Sequence, residues 1–266
     1  MKIILSRKGF DSSNGGIPSP ILPDGTLLSM PIPEEEGVRY SDISWNGMTY
    51  ADILKQLATN RSYDCCHLDP DLRDNRIEHI EGWKPAFGQT GAAQGQLRNA
   101  GVGVGDIFLF FGWFRGTEET EEELKFVRRD SEHFYEGNDL QVIYGYLQVG
   151  EIVTDVERIK EYSWHPHASK AHLVSKNNVL YFPADRLSIE QSLKGYGVLD
   201  YRKDRVLTME GKSRAIWDEY PFLMPDHVRG RKNSAKGEGL YYAGIWQELI
   251  VDESDELIEW VKKIIV

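Results

Sequence analysis

The sequence predicts an α+β protein organised around a curved, mostly antiparallel sheet with several short helices. Long β-rich runs stand at residues 107–111 and 141–149, and apolar residues recur at helical spacing in short segments. Glycine and proline separate these elements. The 266 residues contain no internal repeat and no obvious linker, so we expect a single domain over residues 1–266.

The amino-terminal part should form turns rather than regular structure. Residues 9–33 are rich in glycine and proline, which leaves little room for helix. Apolar side chains within it, including Phe10, Leu28 and Met30, should anchor the turns to the core. The first helix should begin after Thr49, its predicted N-cap, and should bury Tyr50, Ile53, Leu54 and Leu57.

A second helix is predicted over residues 90–100, closed by Gly101, and a tight turn then leads into the buried strand at 107–111. That strand should pair with the run at 141–149. The acidic residues 118–123 should be a solvated helix or loop. The remaining predictions are a strand at 179–182, a short helix capped by Ser188 and Gln191, a late pair of strands at 240–243 and 247–251, and an amphipathic terminal helix from Leu257 to Ile264.

The charge balance disfavours a protein that coats duplex DNA. The chain has 31 basic and 42 acidic side chains, a net charge of −11, and generic DNA affinity needs many cations. Residues 186–236 are locally basic and could meet a phosphate, although such runs are more often solvated surface. No apolar run approaches membrane-spanning length and no secretory signal is visible, so we expect a cytoplasmic protein without a membrane partner.

Motif searches exclude several enzyme classes and give no metal site. The sequence has no Walker motif, no nucleophile elbow and no zinc-protease motif. Cys65 and Cys66 are adjacent, which suits neither a disulfide framework nor paired zinc ligands. We therefore expect the nearby histidines to be hydrogen-bonded structural residues. The sequence does not disclose which cofactor, if any, the protein uses.

Three polar clusters are candidates for chemistry. Arg7, Lys8 and Ser12 follow the opening strand and could bind an anion, while Asp11 could serve as an acid–base group. The alternative is that Asp11 and its serines complete turns and that Arg7 pairs with a carboxylate.

The other two clusters lie further along the chain. Asp69 and Arg73 could supply a second acid–base group and a cation, although Asp69 precedes a proline and suits a turn. Gln89 and Thr90 stand at a helix start rich in small residues, where backbone N–H groups can bind phosphate and a glutamine can read a base. The alternative is that the glycines here only allow close packing.

Aromatic residues at element ends could stack on a base. Trp113 is close to Arg115, and Trp164 stands beside His165 and His167. Most aromatic side chains nevertheless belong to the core. We include these five residues among the predicted ligand contacts.

The sequence resembles the third family of nucleotide-modification-associated domains. The likeness rests on the segments 7–12, 31–33, 88–89, 113–114, 144–147 and 247–248, and it extends over nearly the whole chain. Members of that family are thought, mainly from gene context, to act in modification or processing of nucleotides in bacteria and phages. The strand order around residues 105–111 and 144–149 also looks like the small base-binding barrels of the pseudouridine-synthase-associated (PUA-like) type.

These resemblances imply a protein directed at a nucleotide or an extruded nucleic-acid base. The residue roles rest on local chemistry alone: in the enzymatic version, Arg7 and Lys8 hold a phosphate, Asp11 or Asp69 transfers protons, Gln89 reads the base and Trp113 stacks on it. Two alternatives stay open. One is a non-catalytic reader of a modified base, and the other is an acidic protein that engages a basic partner.

Overall fold

The computed structural model describes residues 1–58, 62–75, 81–120, 123–130, 132–229, 239–242, 244 and 247–266. In this part of the chain, a ten-stranded sheet curls into a half-barrel and six short helices surround it. The predicted α+β class is therefore confirmed.

The helices are α1 (Tyr50–Leu57), α2 (Gly91–Asn99), α3 (Phe134–Gly137), α4 (Val156–Glu161), α5 (Lys170–Leu173) and α6 (Asp255–Ile265). The strands are β1 (Lys2–Arg7), β2 (Ser19–Ile21), β3 (Ile32–Glu34), β4 (Val38–Arg39), β5 (Ser44–Trp45), β6 (Met48–Thr49), β7 (Cys65–His67), β8 (Phe87–Gln89), β9 (Ile107–Glu119), β10 (Leu124–Phe126), β11 (Leu140–Val153), β12 (Val179–Pro183), β13 (Arg186–Leu187), β14 (Glu190–Lys194), β15 (Tyr196–Val198), β16 (Ile216–Trp217), β17 (Val228–Arg229), β18 (Leu240–Tyr241) and β19 (Glu248–Asp252).

The main sheet is built on two long central strands. Its order is β17-β19-β1-β9-β11-β12-β8, with β2 and β10 also paired to β9 and β15 paired to β11. Strands β9 and β11 are antiparallel, so the predicted pairing of these two segments is confirmed. Their register shifts between Ile143 and Gly145, and such a bulge increases the local twist of a sheet. Among the described strands, only β1 and β2 run parallel to β9.

Both faces of the central strands are buried, which explains why their sequences are continuously apolar. Leu109 belongs to one core cluster, together with Val261 of α6 and Trp217. Its neighbour Phe110 points to a second cluster on the other face, which includes Leu97 of α2. Alternate residues of one strand thus fill two cores, as expected for a sheet covered on both sides.

The amino-terminal turns form their own cluster against α1. Phe10, Leu28 and Met30 are buried there beside Tyr50 and Ile53, so the predicted anchors are confirmed. Regular structure between residues 9 and 33 is limited to two short strands, β2 and the start of β3. Within this lobe, the backbone N–H of Phe10 donates a hydrogen bond to the carbonyl oxygen of Met30 and ties the two ends of the segment together.

Three predicted helices are confirmed, and their ends follow from the local sequence. Thr49 Oγ1 accepts a hydrogen bond from the backbone of Asp52 and caps α1. Gly101 adopts a left-handed conformation just after α2. Ser254 Oγ accepts from the backbone of Leu257 at the start of α6. None of the helices among the described residues has the length and apolar character needed to cross a bilayer.

Two local predictions are wrong. Ser188 does not cap a helix, because its backbone and hydroxyl bond to the side chain of Gln148, and the segment forms the β13–β14 hairpin. Glu118 and Glu119 extend β9, where they pair with β10; residues 121 and 122 of that acidic segment lie outside the described residues.

Both predicted late strands are present, as β18 and β19. Strand β18 pairs with β16, and β19 pairs with β1 and β17, so the two do not pair with each other. Ala243, at the end of the first predicted strand, lies outside the described residues. An alternating apolar pattern identifies a strand but not its partner, which tertiary packing selects.

Candidate functional site

A cavity of about 200 Å³ opens where β1, β7 and β8 end beside α5. Its walls combine cations, carboxylates, imidazoles and amides, unlike the apolar clusters on either side of the sheet. The lining residues that carry charge or hydrogen-bonding groups are Arg7, Lys8, Asp11, Asn14, Glu34, His67, Asp69, Gln89, Thr90, His167, His172 and Gln247. The site is therefore assembled from segments that are far apart in the sequence.

A buried carboxylate lies beneath the cavity and organises two of its lining residues. Glu248, in β19, is fully buried. Its Oε1 accepts hydrogen bonds from Ser6 Oγ at 3.1 Å, Lys8 Nζ at 3.1 Å and Gln89 Nε2 at 2.6 Å. Gln89 also accepts a hydrogen bond from the backbone of Thr90. Lys8 and Gln89 are thus held in fixed orientations at the cavity wall.

Asp69 is the most enclosed acidic group of the cavity. The backbone N–H of Gly88 donates to its Oδ1 at 2.8 Å, and His165 Nε2 lies 3.4 Å from the same oxygen. Burial raises the pKa of Asp69, but His165 and His67 outweigh burial and hold its pKa below the usual carboxyl range. Asp69 is therefore a carboxylate at neutral pH.

His67 lies between two carboxylates. Its Nδ1 is 3.1 Å from Glu34 Oε2, and its Nε2 is 3.8 Å from Asp69 Oδ2. Burial lowers the pKa of His67, but the two carboxylates have the larger, opposite effect and raise the pKa to about 9. Burial raises the pKa of Glu34, but His67 outweighs that effect, and the pKa of Glu34 is lowered.

His167 is held as a neutral imidazole of defined tautomer. Its Nδ1 lies 2.6 Å from Asn178 Oδ1, while Asn178 Nδ2 donates to the backbone oxygen of His167 at 2.9 Å. The second bond fixes the amide orientation, so Nδ1 must be the donor in the first. Burial lowers the pKa of His167 to about 3, with His165 and His67 contributing in the same direction.

His172 completes a group of three imidazoles. It lies on α5, and its Nδ1 is 3.0 Å from Ser169 Oγ. Burial and the nearby His67 lower its pKa. One nitrogen from each of His67, His167 and His172 lies within 4.8 Å of the other two.

A second, more open cavity of about 620 Å³ adjoins the first. The two share Arg7, Asp11, Asn14 and Gln247 as lining residues, and Arg214 belongs to the outer one. Burial lowers the pKa of Arg214, and the nearby charge of Arg7 lowers it further. The outer cavity therefore brings together two guanidinium groups that are far apart in the sequence.

Asp11 and Ser12 belong to a turn that lines both cavities. Asp11 Oδ1 accepts backbone hydrogen bonds from Ser13 at 2.8 Å and Asn14 at 2.7 Å, while Arg7 Nη2 lies 3.5 Å from Asp11 Oδ2. Ser12 Oγ accepts a hydrogen bond from Arg214 Nη2 at 2.5 Å. These contacts match the turn alternative for Asp11.

The predicted residues thus fall into groups. Those that line one or both cavities are Arg7, Lys8, Asp11, Ser12, Asp69, Gln89, Thr90 and His167. His165 lies behind Asp69 and does not line them. Trp113 stacks against the guanidinium of Arg214 at 3.7 Å and supports the outer cavity from behind.

Three predicted residues lie elsewhere. Arg73 is buried against Trp45. Arg115 forms an ion pair with Asp139. Trp164 packs among aromatic rings near α4. A larger depression of about 940 Å³, around Gln148 and the β13–β14 hairpin, contains none of the predicted residues.

Sequence reasoning missed five residues of the site: Glu34, His67, His172, Arg214 and Glu248. The position of His67 beside Asp69 was a usable signal. His172, five residues after the predicted His167, was a second one. Glu34, Arg214 and Glu248 are separated from the rest by long stretches of sequence, and only the tertiary fold brings them together.

Comparison with known families gives one decisive match. The profile described as "Nucleotide modification associated domain 3" matches residues 2–252. The chain belongs to this family. The predicted family resemblance is thereby confirmed, and it associates the chain with nucleotide modification. Neither the curated proteins nor the solved structures that were compared include a match to this chain.

Proposed function

We propose that the paired cavities bind a nucleotide, or a base extruded from a nucleic acid, and that the protein modifies or processes it there. The observation that carries this proposal is the convergence of Arg7, Gln89 and the three histidines on one polar cavity. The inner space of about 200 Å³ adjoins the outer one of about 620 Å³. Together they are in the range of roughly 300 to 1,000 Å³ that small-molecule sites occupy.

The phosphate should bind in the outer cavity between Arg7 and Arg214. Planar guanidinium groups suit phosphate oxygens, and two of them concentrate positive potential in a chain whose net charge is −11. Lys8 is a weaker candidate than its sequence position indicates, because buried Glu248 already pairs with its ammonium group. Arg214 replaces it in our proposal.

The base or sugar should then extend toward the inner cavity. Gln89 Oε1 accepts one backbone hydrogen bond, and a carbonyl oxygen can accept a second from an amino group of a base. Asp69 lies at the inner end and is our candidate for the essential carboxylate. Asp11 is committed to its turn and to Arg7, so we assign it to positioning.

Nucleotide binding tests this proposal directly. The purified protein should retain a nucleotide detectable by mass spectrometry, or bind one from a panel of nucleoside monophosphates by calorimetry. Arg7→Gln and Arg214→Gln should each weaken phosphate-dependent binding about tenfold or more, since hydrogen bonds to charged groups contribute about 1.5 to 3 kcal/mol.

The matched control is Arg158→Gln, which removes an exposed arginine paired with Glu151 and should leave binding unchanged. If no nucleotide, nucleoside or oligonucleotide binds, the proposal is wrong and a protein partner becomes the better hypothesis. Binding without any turnover would favour the reader of a modified base. Loss of turnover in Asp69→Asn with retained binding would support the enzyme.

A further inference from the structure

We propose that His67, His167 and His172 bind a divalent transition-metal ion in the inner cavity, with Asp69 as an oxygen ligand. The sequence spacing alone does not reveal such a site, because only His167 and His172 lie within a few residues of each other, whereas His67 stands about 100 residues earlier. Here the fold brings together β7, the turn after α4 and α5. The distances between the three nitrogens, at most 4.8 Å, are the first argument.

The second argument is that all three rings are oriented through Nδ1. His67 Nδ1 faces Glu34, His167 Nδ1 donates to Asn178, and His172 Nδ1 contacts Ser169. Metal-binding histidines commonly use one nitrogen for such an outer contact and the other for the metal. Nε2 of each ring is therefore the nitrogen available to an ion.

His167 gives the strongest single indication. Its Nδ1 carries the proton, so the Nε2 atom of the neutral ring has a free lone pair. That nitrogen lies 4.0 Å from Asp69 Oδ2, which is also an acceptor. Two acceptors at this separation can both reach one zinc ion, because zinc–nitrogen and zinc–oxygen bonds are each about 2.0 to 2.2 Å long.

The ligand set also limits the class of metal. Three imidazoles and one carboxylate suit zinc and other first-row divalent ions, whereas magnesium and calcium prefer oxygen ligands. Zinc–nitrogen bonds are about 2.0 to 2.1 Å long, so binding should draw the three rings slightly closer together. His67 would release its Nε2 proton when the ion binds.

The position of the ion suggests its use. It would lie in the same inner cavity as Gln89 and next to the shared wall of Arg7, where it could polarise a phosphoryl or carbonyl oxygen of the ligand. This chemical role rests on the proposed function, but binding of the ion does not. Metal binding can therefore be measured without any nucleotide.

The experiment uses the full-length protein after removal of bound metal with a chelator. Calorimetry with Zn²⁺ should show about one ion per chain, and Co²⁺ should give a visible absorption spectrum with nitrogen ligation. His172→Ala should weaken Zn²⁺ affinity at least tenfold, and His67→Gln should do the same. His172 is only partly buried on a short helix, so its replacement should leave the fold intact by circular dichroism.

His133→Ala is the matched control, because His133 is an exposed histidine paired with Asp130 outside the cluster. It should bind zinc like the unmodified protein. The inference is overturned if the unmodified protein has no stoichiometric site, or if His172→Ala and His133→Ala bind zinc equally well. Stoichiometric zinc binding without nucleotide binding would uphold this inference while contradicting the proposed function.

Discussion

Gly88 is the residue at which packing and the candidate site are most directly coupled. A Cβ atom at this position would lie 2.4 Å from the ring of His167, which is itself buried and held by Asn178. The ring cannot move away without losing that bond. The backbone N–H of Gly88 also donates a hydrogen bond to Asp69. Gly88 therefore both leaves room for the His167 ring and binds the Asp69 carboxylate.

We therefore expect Gly88→Ala to lower the free energy of unfolding by about 1 to 3 kcal/mol, the usual cost of overpacking a core. Zinc affinity should fall as well, because His167 must shift. Urea denaturation and calorimetry would measure both. Gly95→Ala, in helix α2, is the control, because a Cβ there would have its nearest neighbour, Asn177 Nδ2, at 3.9 Å.

The control should behave in the opposite way. Alanine in the middle of a helix is more favourable than glycine by about 0.5 to 1 kcal/mol, so Gly95→Ala should raise stability and leave zinc binding unchanged. Equal stability changes in the two variants would contradict the close contact between Gly88 and His167.

At the scale of elements, the local sequence identifies helix starts and buried strands, because these depend on interactions between residues that are close in the sequence. Thr49 and Ser254 mark helix starts because a hydroxyl satisfies an otherwise unpaired backbone donor. The apolar runs of β9 and β11 identify buried strands. Ser188 shows the limit, because a side chain 40 residues away, Gln148, takes both of its hydrogen-bonding groups and makes the segment extended.

Helix α6 offers a test of this local control. It covers one face of the sheet with Leu257 and Val261, and its first turn is capped by Ser254. Ser254→Ala should lower the free energy of unfolding by about 1 kcal/mol, as measured by urea denaturation. Ser254→Asp should retain most of the stability, since aspartate also caps. If alanine and aspartate are equivalent, the cap does not stabilise α6.

At the scale of the whole molecule, the candidate site could be predicted only in part. Arg7, Asp69 and Gln89 are found from local chemistry because each stands at an element end. The grouping of His67 with His172, and of Arg7 with Arg214, depends on contacts across more than 100 residues. No periodicity or motif encodes such contacts, so residue type alone left the histidines as structural residues.

The extent of the sheet leads to a prediction about domain organisation. Strand β9 contributes Leu109 to one core cluster and Phe110 to the other, and it pairs with β1, β2, β10 and β11. If the chain is one domain over residues 1–266, as we propose, neither core can unfold without disrupting the sheet that both cores share. Thermal unfolding should then give coincident transitions by circular dichroism and by tryptophan fluorescence.

Substitutions in the two cores should act on that same transition. Leu109→Ala should lower the free energy of unfolding by about 2 to 5 kcal/mol and Phe110→Ala by about 3 to 5 kcal/mol, with both probes shifting together. Val104→Ala is the control, since Val104 is 70% exposed and its truncation should change stability by less than about 0.5 kcal/mol. Two separate transitions, with each substitution moving only one of them, would instead show that the two faces of the sheet belong to independently unfolding units.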